Sequence, residues 1–203
     1  MTLEKWLDRR TRSLRWARRC LAAILVAACV RSPRPSGSSL KVPTAGILQD
    51  FKGGLTGVHT RNPALKLRVD QHPTIPNERV LTVDYPPPSD DPAGRDVWLD
   101  VEQRDWTGGR AIEFRVKPDH PSRLSVSFAD RNHVAFTTWI DLRDTVWQNV
   151  RLDLATIRPN PYFQPPNAVS GKPKDLSEVN ALGFAPQDRE AGRIAIGRIA
   201  LGK

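Results

Sequence analysis

From Ala64 onward, apolar and polar residues alternate with a period of two in a series of short runs. A period of two is typical of a β-strand that has one face in the core and the other in solvent. Turn-forming residues such as Gly, Pro, Asn and Asp separate the runs. The pattern predicts eight strands, over Ala64–Val69, Arg79–Tyr85, Asp96–Glu102, Ala111–Lys117, Arg123–Phe128, His133–Asp141, Trp147–Leu154 and Arg193–Leu201.

No long segment has the 3.6-residue period of an amphipathic helix. The one helical candidate is Leu176–Leu182, which follows Asp175 and amounts to a turn or two at most. Gly197 interrupts the last predicted strand and indicates a bulge there. Many short strands in a single domain predict an all-β fold, in which two antiparallel sheets pack face to face as a β-sandwich.

The N-terminal segment differs from this domain in composition. Residues 1–28 begin with an arginine-rich stretch and continue into an apolar run, Cys20–Val30. That run is too short to span a membrane, since a spanning helix needs about 20 residues. It includes Val26-Ala27-Ala28-Cys29, which resembles the bacterial lipobox, so we predict a lipoprotein-type signal peptide over residues 1–28 and lipidation of Cys29. An ordinary secretory leader and an uncleaved short anchor are the alternatives.

Residues 29–44 are rich in Pro, Ser and Gly, which predicts a flexible tether before a domain over residues 45–203. The leader contributes +5 and the tether +3 to the formal net charge of +9, so the domain is nearly neutral. Nucleic-acid binding needs a clustered basic face and is therefore not expected. Lipidation of the cysteine places the protein in the cell envelope, anchored on the outer membrane or periplasmic face. Without lipidation the protein would be secreted.

Several short motifs are spread along the domain in a characteristic order. They are Asp50-Phe51, Asp105-Trp106-Thr107-Gly108-Gly109, Ile112-Glu113-Phe114-Arg115-Val116-Lys117, Phe128-Ala129-Asp130, Trp147-Gln148-Asn149-Val150, Asp175-Leu176-Ser177 and Leu182-Gly183-Phe184. Together they resemble the galactose-binding-like jelly rolls, and among these the family 11 carbohydrate-binding modules and the complex I intermediate-associated proteins. The resemblance spans about residues 47–201 and implies a jelly-roll sandwich with a carbohydrate ligand.

The resemblance also implies a structural calcium ion, which acidic residues near the start and end of the domain hold in this family. Where the family often has acids, this chain has Lys52 and Gly197, and Arg198 follows. Calcium takes six to eight oxygen ligands with anionic charge, and lysine or arginine beside the site would repel it. We therefore expect neither a metal nor a cofactor, although Asp50 remains.

Because successive side chains of a strand point to opposite faces, several aromatic and polar side chains are predicted to point away from the core. Sugar rings have apolar faces and a rim of hydroxyls, so aromatic faces and planar hydrogen-bonding groups suit them. We predict that a polysaccharide binds to one sheet face formed by Trp98, Asp100, Glu102, Arg115, His133 and Trp139. The alternative for Trp98 and Trp139 is packing in the core or at a sheet edge. Trp147 is expected in the core, and Trp106 as a lid on the sandwich end.

Catalytic motifs are scarce. The four histidines lack the His-Glu-x-x-His spacing of zinc hydrolases, and no Gly-x-Ser-x-Gly elbow occurs. Asp100 and Glu102 form a carboxylate pair on one predicted strand, but outward acids are common on strands. We predict a non-catalytic polysaccharide-binding lipoprotein. The alternative is a scaffolding lipoprotein that contacts a protein partner through Tyr162 and Phe163, in the long proline-rich loop over residues 158–174.

Overall fold

The computed structural model describes residues 46–88, 94–169 and 171–203. The predicted signal peptide, Cys29 and the whole predicted tether lie outside the described residues, so the anchoring stays a prediction. In the described part of the chain, twelve β-strands form two antiparallel sheets, and no helix is present. The expectation of two antiparallel sheets in an all-β domain is confirmed.

The strands are short and follow one another closely along the chain. They are β1 (Ile47–Gln49), β2 (Val58–His59), β3 (Lys66–Gln71), β4 (Arg79–Tyr85), β5 (Val97–Asp100), β6 (Ala111–Pro118), β7 (Ser122–Ala129), β8 (Ala135–Leu142), β9 (Gln148–Asp153), β10 (Arg158–Pro159), β11 (Ala181–Pro186) and β12 (Gly192–Gly202). Sheet I has the order β3-β4-β12-β6-β9, and β1 also pairs with β12. Sheet II has the order β10-β8-β7-β11-β5-β2.

The hydrophobic core lies between the inner faces of the two sheets. In sheet II, Leu124, Val126 and Phe128 of β7 are at most 1% exposed, and in sheet I Ile194 and Ile196 of β12 are equally buried. These residues alternate with more exposed neighbours, as the period of two predicts. Burial of each such side chain stabilises the fold by about 1.5–3 kcal/mol.

The central strand β11 was not predicted from the sequence, and part of it overlaps the helical candidate over residues 176–182. Leu182 and Phe184 point into the core, whereas Gly183 and Ala185 point outward and are too small to register as a polar face. The strand forms because β7 and β5 pair with it on both sides, which satisfies its backbone hydrogen bonds. The helical prediction is therefore wrong.

The bulge predicted in β12 is present. Pairing of β12 with β6 changes register between Ile196 and Ile199, so that Gly197 and Arg198 form the irregular step. Trp106 is fully buried, packs on Phe128 at a ring-centroid distance of 5.3 Å, and donates its indole N–H to the Gln103 carbonyl. Trp147, by contrast, lies just before β9 and stacks on His72 at 4.5 Å, outside the main core. The expectation of a core position for Trp147 is therefore wrong.

Candidate functional site

The outer face of sheet II has small side chains along its centre. On the two central strands, residues such as Val126 and Leu182 enter the core, so the residues between them point outward. The outward residues are Ser125, Ser127 and Ala129 on β7, and Ala181, Gly183 and Ala185 on β11. They form a floor of small side chains between the larger ones on the flanking strands, and we call this part of the outer face the sheet II groove.

Larger side chains on β5 and β8 form the two walls of the sheet II groove. Trp98 and Asp100 point outward from β5, and Thr137, Trp139 and Asp141 point outward from β8. Three strand spacings of about 4.8 Å separate these strands, which places their backbones about 14 Å apart. The pairing registers place Trp98 opposite Gly183, and Trp139 opposite Ser125.

Trp98 lies against the floor of the groove. A Cβ atom at Gly183 would be 2.8 Å from Cζ3 and 2.9 Å from both Cε3 and Cη2 of the indole. Nearly equal distances to three adjacent ring atoms mean that the face of the ring, not its edge, covers the glycine. Gly183 therefore allows the indole to lie across the strand, and the opposite ring face points away from the sheet.

Trp139 on the other wall is flanked by an aromatic and a cationic side chain. The Tyr162 ring meets it edge-on at a centroid distance of 6.2 Å, and Tyr162 is 85% exposed. The Arg123 guanidinium lies 5.9 Å from the Trp139 ring centroid, within cation–π range. The wall therefore extends outward from the sheet through an exposed tyrosine.

Hydrogen bonds hold the loop of Tyr162 against β8. The backbone N–H of Asn160 donates to the Ala135 carbonyl at 2.7 Å, and its side-chain amide donates to Thr137 Oγ1 at 3.0 Å. The Asn160 side-chain oxygen accepts the N–H of Tyr162 at 2.9 Å. These contacts fix the start of the proline-rich loop at the edge of the groove.

Polar groups around the aromatic rings pair acids with bases. His59 Nε2 lies 3.0 Å from Asp100 Oδ2 beside Trp98, and Arg123 Nε lies 3.5 Å from Asp141 Oδ1 beside Trp139. Asp96 precedes β5 on the parity of Trp98, and burial raises the pKa of its carboxyl while Arg61 opposes the shift. The groove thus offers carboxylate, imidazole and guanidinium groups for hydrogen bonding.

The fold is similar to that of several solved structures. The family 11 carbohydrate-binding module from Clostridium thermocellum, solved with a β-1,3-1,4-mixed-linked tetrasaccharide, is similar over 78% of this chain and 95% of its own, with a TM-score of 0.61 and 18% identity. The domain has the fold of the carbohydrate-binding jelly rolls. The family 30 module of a Clostridium thermocellum cellulosomal cellulase is similar over 78% of this chain and 92% of its own, with a TM-score of 0.51 and 15% identity.

An exo-β-agarase is also similar, over 78% of this chain and 25% of its own, with a TM-score of 0.53 and 14% identity. No protein-family model and no curated protein sequence matches the chain. The jelly-roll architecture expected from the sequence motifs is confirmed by these structures.

The structure brings together only part of the predicted binding face. Trp98, Asp100 and Trp139 all point outward on sheet II, as predicted. Arg115 lies instead on β6 of sheet I, where its guanidinium binds the Glu78 carboxylate. The predicted grouping is therefore wrong for Arg115. Arg115 does point away from the core, as predicted, but the outer faces of the two sheets lie on opposite sides of the sandwich.

Glu102 and His133 lie outside the strands that form the groove. Strand β5 ends at Asp100, and the Glu102 N–H donates to the Leu48 carbonyl of β1 at 3.1 Å. The predicted carboxylate pair on one strand is therefore wrong. His133 occupies the turn between β7 and β8 with a φ of 59°, where its N–H donates to the Asp130 carbonyl at 2.9 Å. It is exposed, and it does not belong to a strand face as predicted.

Several groove residues were missed in the sequence. Gly183 lay in a motif but gave no sign that an indole covers it. Ser127 and Thr137 are hydrogen-bonded at 2.9 Å across β7 and β8, and both appear in the sequence only as ordinary polar strand residues. A glycine between two core residues, as in Leu182-Gly183-Phe184, is the one sequence signal for a close approach inside a strand.

A separate cavity of about 1050 Å³ lies beneath the proline-rich loop. Its walls include Phe136, Leu154 and Ile157. Lys174 lies in this wall, where its ammonium donates to the Leu154 and Ile157 carbonyls and lies 4.7 Å from the Phe136 ring centroid. Burial lowers the pKa of Lys174. The lysine therefore ties the loop to the sandwich.

The residues at the calcium position implied by the sequence resemblance do not fit a metal cation. Lys52 Nζ lies 3.0 Å from Asp50 Oδ2, so the remaining acid already has a positive partner. Across residues 46–88, 94–169 and 171–203, no three His, Cys, Asp or Glu side chains converge on one point. Within the same ranges, no helix has the length and apolar character needed to cross a membrane.

Proposed function

We propose that this protein binds a neutral polysaccharide in the sheet II groove and performs no chemistry on it. The observation that supports this most strongly is the Trp98 indole, which lies face-down on Gly183 and turns its other face outward. An aromatic face held parallel to a sheet suits the apolar face of a sugar ring. The structural relatives that include carbohydrate-binding modules support the same class of ligand.

The second wall suits a further sugar ring of the same chain. Trp139 and the exposed Tyr162 meet edge-on, about 14 Å across the sheet from the β5 wall. A polymer that crosses the floor of small residues contacts both walls, whereas a single sugar contacts one. The acid–base pairs at the walls supply hydrogen bonds to hydroxyls, and the carboxylate in each pair favours a neutral glycan over an acidic one.

The site is shallow, so the affinity should be modest, with Kd in the micromolar to millimolar range, or about −8 to −4 kcal/mol. The test is titration calorimetry of the full-length protein with mixed-linked β-glucan, cello-oligosaccharides and agarose oligosaccharides. We expect Trp98→Ala and Trp139→Ala to weaken binding at least about tenfold, since each removes one aromatic wall. Trp147→Ala is the matched control, because Trp147 lies outside the groove against His72.

Two results would reject this proposal. One is that the Trp98→Ala and Trp139→Ala variants both bind a glycan as tightly as the parent protein does. The other is a parent that binds no polysaccharide across a broad glycan array. In that case the scaffolding alternative takes over, with exposed Tyr162 as the first residue to test for a protein partner.

We further propose that the domain is displayed at a membrane surface. A lipidated Cys29 followed by a tether over residues 29–44 would hold the domain close to the cell envelope while leaving it free to turn. One acyl chain anchors a protein only marginally, and two or three anchor it firmly, so multiple acylation of one cysteine is sufficient. The role that follows is retention of a polysaccharide at the cell surface.

A further inference from the structure

Opposite β6, strand β12 pairs with two different strands, and the change from one to the other occurs at the bulge. Strand β4 pairs with β12 as far as Ile196, and β1 pairs with it from Ile199 onward. Between them, Gly197 and Arg198 belong to neither ladder. The junction therefore joins three elements of sheet I at a point where regular backbone hydrogen bonding is interrupted.

Two acidic side chains reach this junction. Glu78 is the residue just before β4. Its carboxylate lies over the bulge, since a Cβ atom at Gly197 would be 2.7 Å from Glu78 Oε1. Asp50 directly follows Gln49, which pairs with Ile199 next to the bulge, and the Asp50 carboxylate accepts the backbone N–H of Lys52 at 3.0 Å. Two carboxylates at one junction, one of them only 10% exposed, need nearby positive charge.

Positive side chains from the same chain supply that charge. The Arg115 guanidinium binds Glu78 Oε2, and Lys52 Nζ lies 3.0 Å from Asp50 Oδ2. The pKa of Asp50 is lowered, first by the Lys52 backbone hydrogen bond and then by the charges of Lys52 and Arg198. Arg115 reaches the junction from β6, so the ion pair crosses the outer surface of β12.

We propose that Arg115, paired with Glu78, and Lys52, paired with Asp50, are built-in cations that clamp this junction in place of the structural calcium ion implied by the sequence resemblance. Gly197 is part of the device, because the missing side chain leaves room for the Glu78 carboxylate over the bulge. The consequence is a domain whose stability depends on an internal ion pair and not on a metal.

The test compares melting temperatures of the full-length protein and its variants, each measured in calcium and in excess chelator. The parent should melt at the same temperature in both. Arg115→Met leaves Glu78 as an uncompensated, mostly buried charge and should lower the melting temperature by about 5–10 °C. The matched control is Arg151→Met on the same sheet, whose pair with Glu113 is more exposed, and it should shift the melting temperature by about 2 °C or less.

A double variant separates the charge from the packing of the arginine stem. Glu78→Gln in the Arg115→Met background removes the stranded charge and should recover at least about half of the loss. Should Arg115→Met not fold, Arg115→Lys keeps the charge and should stay close to the parent. A parent that melts higher in calcium than in chelator overturns the proposal. So does an Arg115→Met variant as stable as Arg151→Met.

Discussion

Gly183→Ala is the smallest substitution that should change the orientation of the Trp98 ring in the sheet II groove without replacing an aromatic residue. The added Cβ would be 2.8–2.9 Å from three carbons of the Trp98 ring. Carbon atoms of this kind pack at about 3.5–4.0 Å, so the indole must move by several tenths of an ångström or more. Because Trp98 is on the outer face of the sheet, we expect it to tilt away from β11 while the core stays intact.

The size of the effect follows from what the tilt removes. Overpacking a well-packed site costs about 1–3 kcal/mol, and a half-exposed ring that is free to tilt should be near the lower limit. A flat aromatic contact contributes about 0.5–1.5 kcal/mol beyond the area it buries. Gly183→Ala should therefore weaken glycan binding about twofold to tenfold and lower stability by about 1 kcal/mol.

The assay is a double-mutant cycle by titration calorimetry with the glycan that the parent binds best. It compares the parent, Gly183→Ala, Trp98→Ala and the double variant. If the glycine acts through the indole, its substitution has no further effect once Trp98 is gone. Ala195→Ser on β12 is the control, since it adds one atom to the outer face of sheet I, away from the groove, where Ala195 pairs with Thr82.

Two outcomes contradict the argument. If Gly183→Ala weakens binding by the same factor in the parent and in Trp98→Ala, the substitution acts by distorting the sheet and not through the indole. Gly183→Ala that binds as the parent does, while Trp98→Ala loses affinity, would show that the orientation of the ring is unimportant.

Two further predictions concern pH and anchoring. Burial lowers the pKa of His72, whose Nδ1 accepts the N–H groups of Thr74 and Ile75, so the folded protein favours the neutral ring. The unfolded chain takes up the proton near pH 6.5, so stability is complete above about pH 6.5 and falls below it by up to about 1.4 kcal/mol per pH unit until the folded ring also protonates. Urea unfolding from pH 7.5 to 4.5 should show this slope in the parent and a flatter one in His72→Gln, and identical slopes would contradict it. Cys29→Ser should release the protein from membranes or block leader cleavage, and a cleaved variant that still sediments with membranes would reject lipidation.

The period-two pattern predicted most of the strands because each has one face in the core. For β7, the residues assigned inward are at most 1% exposed, and for β12 even the bulge at Gly197 was indicated. Strand β11 escaped because its outward positions hold Gly and Ala, which give no polar signal. The two-residue strands β2 and β10 are too short to show any period.

The site was harder to predict than the fold, because parity says only that a side chain points away from the core. It does not say on which of the two sheets the strand lies. Trp98 and Arg115 share outward parity, yet they lie on opposite outer faces of the sandwich. The contact of Trp98 with Gly183 joins residues on different strands, and only the order of strands in sheet II brings them together.

The indole N–H signals of the tryptophans give the most direct test of glycan binding in the sheet II groove. The chain has six tryptophans, of which Trp98 and Trp139 are on the groove, Trp106 is buried and Trp147 stacks on His72. In nuclear magnetic resonance spectra of the full-length protein titrated with mixed-linked β-glucan oligosaccharides or another bound glycan, the signals of Trp98 and Trp139 should shift in a saturable manner. The signals of Trp106 and Trp147 should stay in place. Saturable binding that shifts Trp147 and leaves Trp98 and Trp139 unchanged would contradict the proposed site.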